Sequence, residues 1–366
     1  MKTVIYFNWT LIIAGLLFLL GLWGCMAIYN ATLLGPAPFY FVTRQFLWLL
    51  LGLGLLIGCA RIPFRFYREQ AEIMGVVAFL VLLLVFPLGV QVNGMKGWYS
   101  FGYFMVQPSE LAKPFFLLSL CIFGIRHQNG LKRFGVMLAL TLGWVVPILL
   151  QPDFGTAAVY LAGFVIVYWL SGGTFWPLLA LPVAIAPGLF YILRTTPYVM
   201  RRFEGFIWPQ LDPGGSGWHV LQFQYTLARG GVSGMSWGKA VWANCYLPLP
   251  HSDSVFASIV ESLGVIGGMP IILIFGLLVF AFIRLSMQAE TPERRIFVAA
   301  FGCLVAVQAL LHISVNVTIL PPTGLTLPVL SYGGSSLIAT MIGAGIALSA
   351  AKPEQSSPEI SDEDHR

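Results

Sequence analysis

Charge is scarce in this sequence. Only 10% of its 366 residues are Asp, Glu, Lys or Arg, whereas 58% are hydrophobic. Globular domains usually carry about 25% charge, so an ordinary soluble domain is excluded. Cysteine is also sparse, at five residues, with no CxxC pair and no Cys/His spacing of the kind that holds zinc. Cys25, Cys59, Cys121 and Cys303 fall within apolar runs, which leaves Cys245 without a partner for a disulfide. No cleavable signal peptide is evident, because the first apolar run is long and a second follows it. An internal repeat is missing too, which disfavours the inverted-repeat transporters.

Long apolar runs are what the chain has in abundance. About 20 apolar residues span a bilayer as a helix, and the hydropathy pattern predicts ten spans. They cover roughly 9–29, 44–60, 72–90, 109–125, 133–150, 154–171, 175–194, 260–284, 296–316 and 327–350. The expected fold is therefore an all-α, polytopic membrane protein. Its cations are unevenly placed. Arg61, Arg65, Arg68, Arg126, Lys132, Arg133, Arg284, Arg294 and Arg295 lie in short loops on one side, against Arg44 and Lys96 on the other. The positive-inside rule then puts both termini in the cytoplasm. The net charge of +5 reflects this topology, and no nucleic-acid partner is implied.

One outward connection is long, about residues 194–255, and it mixes Tyr198, Trp208, Trp218, Tyr225 and Trp237 with glycines and prolines. Such aromatic density suits a membrane interface, and short helices on the outer leaflet are expected there. Residues 1–352 read as one transmembrane domain. The remainder, 353–366, reads as an acidic, disordered cytoplasmic tail.

Ionisable groups on the outer side or within spans are few enough to weigh singly, since each costs about 2.5–3.5 kcal/mol at a helix centre. Glu110 and Lys113, in "QPSELAK", stand three apart and share a helix face. They form either a structural ion pair or an anion site with Lys113 at its centre. Asp153, in "QPDFGTA", follows a proline and reads first as a helix cap. Asp253, in "LPLPHSDSVFASIVESLG", also reads as a cap, or as a carboxylate at lipid-headgroup level. His251 beside it reads as a loop hydrogen-bonder. Glu261, eight residues on, is an intramembrane carboxylate that serves a function or pairs with Lys113 or an arginine. Among the outer cations, Arg201 and Arg202 in "YVMRRFEGF" suit a pyrophosphate or lipid-phosphate clamp, or plain headgroup anchoring, and Lys96 is a further candidate. The segment "GGVSGMSWGK" lacks the spacing of a phosphate loop, which needs Gly at Ser233 and Ser or Thr at Ala240. "LSYGGSS" reads as small residues for close packing in the last span.

Taken in order, QPSELAK, QPDFGT, the Arg-Arg loop, "DPGGSGWH", "GGVSGMSWG", "LPLPHSDSVFA" and "LPPTGLTLPVLSYGGSS" resemble the SEDS family (shape, elongation, division and sporulation), which includes RodA and FtsW. The resemblance spans nearly the whole chain and leans to the division branch. It implies ten transmembrane helices and a peptidoglycan glycosyltransferase that polymerises lipid II at the outer face of the cytoplasmic membrane. Asp253 matches the family's essential aspartate, and Glu110 and Lys113 match its Glu-Lys pair. The implied partners are a class B penicillin-binding protein, the crosslinking transpeptidase, and the proteins of the divisome or elongasome. Asp253 then acts as general base or holds a divalent cation, Mg²⁺ or Mn²⁺. Four positions depart from the family pattern: Gly97, Ser262, His312 and Thr318. A lipid-linked precursor transporter or flippase, and a docking scaffold, are the alternative readings.

Overall fold

A computed structural model describes residues 8–35, 37–92, 94–126, 130–195 and 197–353. The expected acidic tail lies, beyond Pro353, outside the described residues. Helices account for every predicted span: α1 (Trp9–Thr32), α2 (Pro38–Arg61), α3 (Phe64–Leu83) with the short α4 (Val85–Leu88), α5 (Pro108–Arg126), α6 (Gly130–Leu150), α7 (Phe154–Leu170), α8 (Phe175–Thr195), α12 (Val255–Ser286), α13 (Pro292–Asn316) and α14 (Gly334–Ala350). Seven stretches are long and apolar enough to cross a membrane, and the other three spans are shorter apolar helices. Helices apolar all round, as these are, need lipid or neighbours on every face. The centre of the bundle is built from α5, α13 and α14, the most buried of them, with α2 packed along α14 and α7 against α13.

Two elements differ from expectation. The last span starts at Gly334 rather than near residue 327, so Leu330–Gly333 of "LSYGGSS" form a non-helical approach to it. Their close packing is real but serves a turn: a Cβ on Gly24 of α1 would lie 2.4 Å from the Leu330 carbonyl. Between α4 and α5 the chain forms a small antiparallel sheet, β1 (Val90–Val92), β2 (Met95–Ser100) and β3 (Met105–Val106), which hydropathy did not reveal. Gly94, at φ 83°, stands between β1 and β2 in a conformation that suits a tight hairpin turn.

The long outward segment carries the expected short helices, α9 (Pro197–Ile207), α10 (Trp218–Gly230) and α11 (Val241–Cys245), with a 3₁₀ turn at Pro209–Leu211. It is clasped onto a break in α12 at Gly264 (φ 69°). Helix bonds lost at the break are replaced across the clasp. Met235 N donates to Glu261 O at 2.8 Å, Val265 N to Gly231 O at 3.0 Å and Ile266 N to Val232 O at 3.3 Å. A Cβ on Gly264 would meet the Val232 carbonyl at 2.1 Å. Gly264→Ala is therefore expected to lose about 1–3 kcal/mol, from a left-handed backbone, and a lowered melting temperature in detergent would report it.

Candidate active site

The starts of α2, α5 and α7, the hairpin, and the turns before α12 and α14 surround a cavity of about 890 Å³. Its charged lining residues are Arg44, Asp153, Arg202 and Asp253, and Gln107, Trp48, Trp98 and Tyr332 contribute to its walls. Aromatic and amide surfaces around a few ionisable groups are the usual make-up of a ligand site.

Asp253 sits in the turn before α12. The expectation that it caps that helix is overturned. The N-cap position is Ser254, which makes no side-chain cap bond and turns its hydroxyl to the Pro248 carbonyl at 2.5 Å. The cap comes instead from α13: Asn316 Oδ1 accepts from Ala257 N at 3.0 Å, and Asn316 Nδ2 donates to the Asp253 carbonyl at 2.9 Å. With capping done elsewhere, the Asp253 carboxylate accepts from Ser252 Oγ at 3.0 Å and faces the cavity wall at Gly324. Burial raises its pKa to about 6; the Asp153 charge adds to this, while the Ser252 hydrogen bond and Arg202 oppose it.

Asp153 does cap its helix, accepting from Thr156 N at 3.0 Å through Oδ1. Its Oδ2 accepts from Gln107 Nε2 at 2.9 Å. Burial raises this carboxyl to about 6 as well. Glu110 and Lys113 form the expected ion pair, at 2.7 Å, buried under the cavity and outside its lining. Lys113 Nζ also donates to Gln308 Oε1 at 2.5 Å, and Gln308 Nε2 to the Thr326 carbonyl at 3.1 Å.

The remaining expected residues separate. Arg201 and Arg202 do not act as a pair, because adjacent residues on a helix point about 100° apart. Arg202 lines the cavity and reaches the Pro322 carbonyl, while Arg201 is exposed. Lys96 is exposed on the hairpin and donates to Phe86 O at 2.6 Å, away from the cavity lining. Glu261 is fully buried but faces the clasp. It accepts from Arg229 Nε at 3.1 Å and from Trp242 N and Ala243 N at 3.1 and 2.6 Å. It stands eight residues after Asp253, but Asp253 precedes the helix, so helical spacing does not relate the two. His251 lines the cavity with its ring stacked on Phe41, centroids 4.2 Å apart, and burial lowers its pKa to about 4. Gln107, Gln308 and Asn316 were not singled out in the sequence, although for Gln308 and Asn316 a polar side chain inside a predicted span is itself a signal, and Arg44 was read only as a topology marker.

The four family departures sit in distinct local settings. Thr318 stands at φ 59°, a backbone region that glycine fits best. His312 is buried and its Nδ1 lies 2.8 Å from the Leu325 carbonyl. Ser262 Oγ accepts from Asn30 Nδ2 at 2.6 Å. Gly97 is tightly enclosed, with Gln151 Oε1 3.1 Å from where a Cβ would be.

A divalent cation would need several oxygen donors. Among the described residues no three His, Cys, Asp or Glu side chains converge, and both Asp153 oxygens are engaged by protein donors. A single carboxylate, Asp253, does not make a resident metal site.

A family model described as cell cycle protein, grouping FtsW, RodA and SpoVE, matches residues 2–356. The chain belongs to the FtsW/RodA/SpoVE family. It is 34% identical over 320 residues to the probable peptidoglycan glycosyltransferase FtsW of Thioalkalivibrio sulfidiphilus, covering 85% of this chain and 80% of that protein. Stage V sporulation protein E of Bacillus subtilis is 30% identical over 320 residues, with 86% and 87% covered. Among solved structures, a peptidoglycan synthase complex that coordinates polymerization and crosslinking contains a chain 30% identical to this FtsW/RodA/SpoVE member. That match has a TM-score of 0.73 and covers 92% of this chain and 96% of that one. RodA of Thermus thermophilus aligns with a TM-score of 0.69 at 27% identity, covering 93% and 95%.

Proposed function

We propose that this protein is a peptidoglycan glycosyltransferase that polymerises lipid II at the outer face of the cytoplasmic membrane, with Asp253 as general base. The observation that carries the reading is a half-buried carboxylate facing a large cavity, with an arginine beside it, in a chain of this family. An acceptor sugar hydroxyl attacks the anomeric carbon of a lipid-pyrophosphate donor. The new C–O bond forms as the bond to phosphate breaks, and the hydroxyl proton passes to Asp253. Arg202, on the same wall, offsets charge on the departing pyrophosphate. The Glu110–Lys113 pair lies beneath the cavity and stiffens its floor, without contact to the ligand.

Positive-inside topology supports both termini being cytoplasmic, which turns the cavity outward. Crosslinking of the new strand requires a second protein, and a class B penicillin-binding protein of the division or elongation machinery is the partner of this reading. Transport is weakened by the position of the cavity's charged groups: Asp153 and Asp253 precede their helices, Arg44 is near the start of α2 and Arg202 is on the short α9, so none sits in the middle of a span.

The test is polymerisation of labelled lipid II by the purified chain, alone and with its cognate transpeptidase. Glycan strands in either condition support the enzyme; reorientation of lipid II in liposomes with no strands supports transport. The pH profile adds a sharper check. A base must be deprotonated, so with Asp253 at about 6 the rate should fall roughly tenfold per pH unit below that value. Arg202 lowers the Asp253 pKa, so Arg202→Gln should move this limb to higher pH. An unmoved limb would assign the titration to another group.

A further inference from the structure

The turn that carries Asp253 is held from three sides. The His251 carbonyl accepts from Tyr332 N at 2.9 Å, and the Ser252 carbonyl accepts from Ser331 Oγ at 2.8 Å. The third restraint comes from α13. Asn316 Nδ2 donates to the Asp253 carbonyl at 2.9 Å, while its Oδ1 takes the Ala257 N–H. One amide thus fixes both the residue before and the first turn after the start of α12.

Asn316 is itself oriented. Its Oδ1 must accept and its Nδ2 must donate, so the amide has one consistent assignment. His312, one turn earlier on α13, lies with Nδ1 2.8 Å from the Leu325 carbonyl and Nε2 3.3 Å from Asn316 Nδ2. A tautomer with the proton on Nδ1 donates to Leu325, while the second Asn316 Nδ2 hydrogen goes to the His312 carbonyl at 3.0 Å, so His312 holds Asn316 through its backbone. The chain of contacts then runs Leu325, His312, Asn316, Asp253. It joins the two pieces of backbone that face each other across the catalytic carboxylate, since a Cβ on Gly324, next to Leu325, would lie 3.7 Å from Asp253 Oδ2.

We infer that Asn316, held by His312, is a positioning residue that sets the carboxylate of Asp253 against the Thr323–Leu325 wall of the cavity. The inference rests on the glycosyltransferase reading above. The pair acts through Asp253 and does not touch ligand: neither side chain lines the cavity. The His312 imidazole ties α13 to the Leu325 carbonyl, and the His312 carbonyl takes the second Asn316 amide hydrogen.

The experiment is steady-state polymerisation of lipid II by the full chain with its transpeptidase. It compares wild type, Asn316→Leu, His312→Gln and a control, Asn30→Ala. Asn30 ties Ser262 and Gly238 at the clasp, remote from Asp253, so its loss tests the effect of destabilisation alone. Misplacing a catalytic group by about 1 Å can cost about 10²-fold. Asn316→Leu is expected to lower kcat by about 10- to 100-fold per folded molecule with KM within about twofold. His312→Gln keeps the backbone carbonyl that holds Asn316, so it should retain more activity than Asn316→Leu. Asn30→Ala should lose melting temperature but keep kcat per folded molecule. If wild type makes strands and Asn316→Leu matches its kcat, or loses KM instead, the positioning role falls while the enzyme reading stands. A parallel fall of kcat in Asn316→Leu and Asn30→Ala at equal melting loss also overturns it, because the role would then be structural. If wild type makes no strands, both readings fall.

Discussion

Asp253→Asn is expected to reduce lipid II polymerisation by about 10²–10⁴-fold, the range that positioned general bases contribute. Asn preserves the volume of Asp and keeps an oxygen to accept from Ser252 Oγ. Its amide cannot take a proton from the attacking hydroxyl. The backbone restraints on residue 253 involve its carbonyl, so the turn should persist. Stability should hold for the same reason, and it would rise slightly at neutral pH, where a buried charge is removed. Retention of a lipid-linked probe, with strand formation abolished, is the expected pair of results. Activity within a few fold of wild type would remove Asp253 from the chemistry. Loss of probe retention would instead make it a binding residue.

The role is easier to hold for Asp253 than for its neighbour. Asp153 has a raised pKa of similar size, but both of its oxygens are occupied, one by the first turn of α7 and one by Gln107. A carboxylate already accepting two protein donors is a poor proton acceptor for a ligand. Asp253 escapes that fate because Asn316 performs its cap.

This division of labour marks the limit of what the sequence disclosed. Hydropathy located all ten spans, because a bilayer demands length and apolarity that few other structures show. It misplaced the start of the last one, since Leu327–Leu330 are apolar yet belong to the turn that precedes the helix and packs at Gly24 of α1. The charged residues of the cavity were largely legible as well: Asp153, Arg202 and Asp253 stood out because an ionised group in such a chain is costly. Capping was legible where it is local, as at Asp153, and illegible where the accepting side chain lies 59 residues away, as for Ala257 and Asn316. The Arg201–Arg202 pair looked like a clamp in one dimension and was divided by the helix that carries it. Glu261 drew attention for its burial, but its partners, the backbone of α11 and Arg229, belong to a clasp that no local pattern announced. The family resemblance supplied the reaction, and the structure supplied the roles of neutral residues such as Gln107, Gln308 and Asn316.

Lys113→Met is expected to destabilise the fold by about 3–5 kcal/mol, the usual penalty when one member of a buried ion pair is removed. Lys113 and Glu110 are both nearly inaccessible, with side-chain exposures of 8% and 5%. Without the ammonium, Glu110 keeps its charge only at a desolvation cost, and Gln308 Oε1 loses its donor. The double variant Glu110→Gln/Lys113→Met leaves no buried charge, so it should recover much of the loss; apolar or neutral replacements of whole buried pairs are often tolerated. Thermal unfolding of the purified chain in detergent, at one pH, measures all three proteins. The comparison separates two roles for the lysine that the sequence left open. If Lys113 works by stabilising the floor of the cavity, the single variant melts low and the double variant regains both melting temperature and part of the activity. If Lys113 instead meets the ligand's phosphate, the single variant melts near wild type and the double variant stays inactive however well it folds. The 2.7 Å contact with Glu110 beneath the cavity, and the absence of Lys113 from its lining, favour the first outcome.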